Sequence, residues 1–140
     1  MKRVFLPLAV LSVLSSGAWA KDGQAVFDAT CAACHFKQRI PERRDEMVAP
    51  PMEMMAVHVR QATGGDRAAF VARVVDFIKA PSEAKAADAM AVKRFGLMPP
   101  IRDSFPELTD KDLQLVANWL FDAFAQSQLP PVEQRRGMQP

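Results

Sequence analysis

The chain has 140 residues, of which 49% are hydrophobic and 24% charged, and carries a formal net charge of +2. That length holds one small domain and scarcely two. So small a charge excess excludes the basic surplus that nucleic-acid binding requires.

The first residues predict export. Lys2 and Arg3 form a short positive region, Val4 to Leu14 an apolar run, and Ala18-Trp19-Ala20 an A-x-A cleavage site. An apolar run of about eleven residues is too short to cross a bilayer comfortably. Residues 1–20 are therefore expected to be a cleaved secretory signal, with the mature chain starting at Lys21. No later stretch is apolar enough to span a membrane, so the mature chain is expected to lack a transmembrane segment. Loss of the leader leaves 120 residues with 16 basic against 16 acidic side chains, so the apparent basicity belongs largely to the leader.

The mature chain opens on a predicted helix running from about Asp22 into Cys31–His35. Gly23, Phe27, Thr30, Cys31 and Cys34 recur there at three- and four-residue steps. Glycine inside a helix costs about 1 kcal/mol against alanine, so Gly23 implies that another helix crosses closely over it. Cys31-Ala32-Ala33-Cys34-His35 then spells C-x-x-C-H, the signal for covalent c-type haem attachment. The spacing lets both thiols reach one haem edge while the imidazole reaches the iron. A Cys31–Cys34 disulfide in a haem-free exported protein is the alternative. A thioredoxin-like redox pair needs a βαβ setting; this chain has no strand pattern, and that reading leaves His35 without a role.

Residues 36–51 read as loop, with Pro41, a charged run from Glu42 to Glu46, and Ala49-Pro50-Pro51. A short helix is expected over Met52–Ala62, closed by Thr63-Gly64-Gly65. Asp66 caps the next helix, whose apolar stripe is Phe70, Val71, Val74, Val75 and Ile78, and Pro81 stops it. Ser82 is expected to cap a further helix from Glu83 to about Arg94. Pro99-Pro100 stiffens the loop after Met98, and Thr109 with Asp112 forms a shortened capping box opening the last helix. That helix carries Leu113, Val116, Ala117, Leu120 and Phe124 on one face, and residues 127–140 are expected to form a flexible tail.

Taken together, these features resemble the class I c-type cytochromes from Gly23 to about Phe124. Gly23 and Phe27 stand at the family's helix-one positions, Ala117-Asn118-Trp119-Leu120 resembles its last-helix pattern, and Ala49-Pro50-Pro51-Met52 resembles its Gly-Pro-x-Leu segment with alanine in place of glycine. The resemblance implies an all-α fold: a small cytochrome c domain over residues 21–126, with four to five short helices around one covalently attached haem c. It implies that the first and last helices cross at Gly23, with the aromatic residue packed on it. It also implies thioethers at Cys31 and Cys34, His35 as proximal iron ligand with its free N–H on the Pro50 carbonyl, and Met98 as distal ligand. A methionine opposite histidine raises the haem potential and leaves no open coordination position. The modest helical core further implies a poorly folded apoprotein.

The chain's other methionines are rivals for the distal position. Met52, Met54 and Met55 follow the Pro50 turn, where methionines commonly fill cores. His58 could share a helix face with Met54 as a bis-histidine ligand or a Cu(I) site, or be an ordinary surface or core residue. Phe95, Leu97, Ile101, Phe105 and Leu108 could line a haem crevice or fill the general core. Lys37, Arg39, Arg43 and Arg44 could steer an acidic partner, although Glu42, Asp45 and Glu46 lie among them. No catalytic serine–histidine–carboxylate set, phosphate loop or zinc spacing is present. The expected function is a periplasmic one-electron carrier between larger redox proteins, not itself an enzyme, either free or as the electron-transfer subunit of an enzyme complex. A haem-based small-ligand binder with a displaceable sixth ligand is the alternative.

Overall fold

A computed structural model describes residues 22–131; the expected leader and the tail beyond Pro131 lie outside these. Among the described residues the fold is all helical. The α-helices are α1 (Gly23–Ala29), α2 (Met52–Ala62), α3 (Arg67–Lys79), α4 (Ala89–Phe95), α5 (Ile101–Ser104) and α6 (Asp110–Ala123). Short 3-10 turns occupy Cys31–Ala33, Pro41–Glu46 and Glu83–Lys85. None of the described helices is long and apolar enough to cross a membrane.

The core sits where α1 and α3 pack on α6. Gly23 is buried against α6: a Cβ there would lie 2.2 Å from the Leu115 carbonyl oxygen and 2.5 Å from the Trp119 Cβ. Only a residue without a side chain allows that approach, which is the crossing expected from the sequence. Phe27, one turn on, stacks at 5.1 Å against Trp119, and Trp119 meets Phe124 edge-on at 6.0 Å. Val26, Phe27, Phe70, Leu113 and Val116 are all but fully buried. Each such side chain contributes roughly 1.5–3 kcal/mol relative to exposure.

Helix ends follow the local chemistry. The Thr109 side chain accepts the Asp112 amide while Asp112 accepts the Thr109 amide, the reciprocal cap expected for the last helix. Asp66 caps α3 by accepting the Ala69 amide at 2.7 Å. Gly64 and Gly65 take φ values of 62° and 78° to turn the chain between α2 and α3, a conformation that side chains disfavour.

Two expectations change. The first helix stops at Ala29, short of the cysteines. There the Thr30 hydroxyl donates to the Val26 carbonyl at 2.7 Å and Thr30 leaves helical geometry, so the motif winds as a 3-10 turn. The helix expected from Glu83 to about Arg94 is split. Ser82 makes no side-chain cap there; Asp88 accepts the Met90 and Ala91 amides and starts α4 instead. Finally, a single helical turn, α5, follows Pro100 and buries Ile101, bringing the α-helices among the described residues to six.

Candidate functional site

The site begins at the end of α1. Cys31 leads the 3-10 turn, and its carbonyl accepts the Cys34 and His35 amides at 3.1 and 2.9 Å. This tight winding keeps both thiols and the imidazole on one short stretch of backbone. Both cysteines are free thiols, Cys31 half-buried against the core and Cys34 exposed. Burial pushes the Cys31 thiol pKa up, and the neighbouring Thr30 hydroxyl partly offsets this. The Cys31 sulfur is therefore held as a protonated thiol at neutral pH.

His35 is half-buried, and its Nδ1 lies 2.7 Å from the Pro50 carbonyl oxygen. A carbonyl only accepts, so Nδ1 carries the proton and Nε2 retains its lone pair. Burial lowers the His35 pKa, with the Pro50 carbonyl acting in the opposite sense. The result is a neutral, oriented imidazole with one nitrogen committed and the other available as a ligand. An open cleft of about 400 Å³ runs alongside, lined by Ala32, His35 and the segment from Phe36 to Ile40.

Pro50 is placed by the start of α2. Pro51 provides no side-chain cap, and the first helical amides instead reach the segment following His35. Met52 N–H donates to the Phe36 carbonyl at 2.8 Å, and Glu53 N–H to the Lys37 carbonyl at 3.0 Å. The Glu53 carboxylate closes the same junction by accepting the Arg39 amide at 2.7 Å. Glu53 is not among the site residues expected from the sequence. Its available signal was an acidic residue in the first turn of a helix, where the dipole favours it.

Met98 lies between Gly96, which ends α4 at φ 80°, and the Pro99-Pro100 pair that precedes α5. Its side chain is half-buried, while Leu97 beside it is 42% exposed. The fold thus puts His35 and Pro50 in direct contact and presents Met98 on a separate loop. Of the suggested crevice residues, Ile101 and Leu108 belong to the buried core, and Phe105 packs against it. Met52 also packs on that core, as methionines commonly do.

His58 points elsewhere. Its Nε2 lies 3.2 Å from Asp88 Oδ2, so this imidazole joins α2 to the cap of α4. The basic cluster is largely answered by acids: Lys37 pairs with Asp28 and Arg43 with Glu46, each at 2.7 Å. Arg43 also lies over the Phe36 ring at 4.6 Å.

The family described as "Cytochrome C oxidase, cbb3-type, subunit III" matches residues 18–120. A protein of Aquifex aeolicus (strain VF5), described as uncharacterized, is 32% identical over 118 residues, covering 75% of each chain. No solved structure matches significantly.

Proposed function

Because the chain belongs to the cbb3-type cytochrome c oxidase subunit III family, a c-type cytochrome family of haem-based electron transfer, we propose that it is an exported monohaem electron carrier. The observation that carries this reading is the His35–Pro50 hydrogen bond, set immediately after two free thiols three residues apart. The residues fit a covalently held haem: two unpaired sulfurs on one turn, and an imidazole whose second nitrogen is free to bind metal.

When bound, the haem supplies a one-electron redox centre. Cys31 and Cys34 would hold it by thioethers, and His35 would be the proximal ligand, with Pro50 fixing the ring's tautomer and rotation. Met98 would be the distal ligand, offered by a loop with Gly96 on one side and two prolines on the other. A thioether in that position keeps water and small ligands away and favours the reduced iron. In this reading the site's side chains hold and orient the group, and the chain carries electrons, either as a free carrier or as the electron-transfer subunit of an enzyme complex.

In this reading residues 1–20 are the secretory signal, 21–126 the cytochrome domain and 127–140 a tail. The periplasm is the compartment, and larger redox proteins are donor and acceptor. Spectra of the ferric protein test the ligand set. A weak far-red charge-transfer band, lost in Met98→Ala together with a fall in potential, is the expected outcome. A wild-type protein that is high-spin and binds carbon monoxide directly would replace the carrier with a ligand-binding role.

A further inference from the structure

Three hydrogen bonds fasten the backbone after His35 onto the first turn of α2. Two are backbone to backbone, Met52 to Phe36 and Glu53 to Lys37. They survive most side-chain substitutions. The third runs from the Arg39 amide to the Glu53 carboxylate at 2.7 Å, and it is the one that depends on a side chain. His35 enters this segment from one end, and Pro50 is separated from the start of α2 only by the Pro51 N-cap. The junction therefore sets the separation of the two groups that face each other across it.

We propose that Glu53 is a positioning residue for His35. By accepting the Arg39 amide it pins residues 36–39 to α2 and holds the His35 imidazole at the Pro50 carbonyl. The assignment rests on His35 being the proximal ligand. A ligating histidine that donates strongly through its other nitrogen is a more basic ligand, and a more basic ligand favours the oxidised iron. Loosening the junction weakens that donation and raises the reduction potential.

The test compares Glu53→Gln with Glu53→Met in the haem-bearing protein. Both variants remove the charge and keep the length, but only glutamine retains an oxygen able to accept the Arg39 amide. Two quantities are read by NMR and voltammetry: exchange of the His35 Nδ1 proton, and the reduction potential. E53Q is expected to hold the ring proton close to its wild-type exchange rate. E53M is expected to release it about tenfold faster, the scale of one lost hydrogen bond, and to have a potential above that of E53Q.

If E53Q and E53M share one exchange rate and one potential, the assignment is overturned, even where E53M melts earlier, because a merely structural role would move melting alone. If E53Q behaves like E53M and both differ from the wild type, charge and not acceptance is at work, which overturns it equally. The Arg39 amide is read in parallel in the wild type and E53Q, which keeps the test decisive if E53M does not accumulate. Slow exchange in both is expected, and fast exchange in the wild type contradicts the proposal. A wild-type chain without haem removes the functional reading and this one with it. A haem-bearing wild type with indistinguishable variants removes this one alone.

Discussion

Gly23 lies so close to Trp119 that a methyl group on residue 23 would meet the Trp119 Cβ at 2.5 Å and the Leu115 carbonyl oxygen at 2.2 Å. The second of these contacts is with backbone, so no rotamer change relieves it. As the first residue of α1, Gly23 has little helix propensity to regain, and Gly23→Ala forces the α1–α6 crossing apart. Overpacking of this kind costs typically about 1–3 kcal/mol, and with backbone as the obstacle the upper end is expected. Chemical denaturation of the haem-bearing G23A protein is expected to give a midpoint well below wild type. An unchanged midpoint would mean that the helices do not meet at residue 23.

The split between the Glu83–Lys85 turn and α4 makes a second outcome specific. Asp88 accepts two amides of the α4 first turn and receives His58, whereas Ser82 makes no cap bond. Asp88→Ala should therefore cost about 1 kcal/mol or somewhat more, the usual price of a lost N-cap, with faster amide exchange across α4. Ser82→Ala should be nearly neutral. Denaturant titration of the two variants side by side checks the contrast, and equal losses would restore one continuous helix from Glu83.

Acid should act at the start of α6. Asp110 receives the Arg102 guanidinium and the Lys79 ammonium, and those hydrogen bonds pull its carboxyl below the ordinary value near 3.8. Asp122 is likewise lowered, by its hydrogen bonds from Arg67. A carboxyl whose folded pKa lies below its unfolded value binds protons less readily when folded. Its stabilising contribution is therefore complete above about pH 4 and is lost as pH falls through the folded pKa. Both carboxyls are exposed, so salt should weaken the effect. Melting of Asp110→Asn should show a shallower decline below pH 4 than wild type; parallel curves would contradict the role given to Asp110.

Much of this architecture was legible because single residues carried unambiguous costs. A glycine inside a helix is tolerated only for a reason, and at Gly23 the reason was a crossing. Asp66, Thr109 and Asp112 capped the helices they were expected to cap, because their partners lie within the same turn. Ser82 and Asp88 are both able to cap, and the choice between them involves His58, thirty residues away in sequence and brought near only by packing. The end of α1 was misplaced because apolar spacing continues through Cys31 and Cys34, while a local bond from the Thr30 hydroxyl to the Val26 carbonyl accompanies the end of the helix. Near the C-x-x-C-H motif, the contact of His35 with the Pro50 carbonyl was expected from the resemblance, and it is present. The part of Glu53 was not legible: an acidic residue in a first turn is favoured by the helix dipole alone, and its partner here is a backbone amide that no side-chain pattern identifies.

The central claim is that one haem is bonded to Cys31 and Cys34 of an exported chain. Intact mass of the secreted protein tests it most directly. A polypeptide starting at Lys21 and heavier by one haem is expected, with the added mass retained after denaturation and acid–solvent extraction. A chain carrying only its amino-acid mass, or that mass less the two hydrogens of a Cys31–Cys34 disulfide, would contradict it.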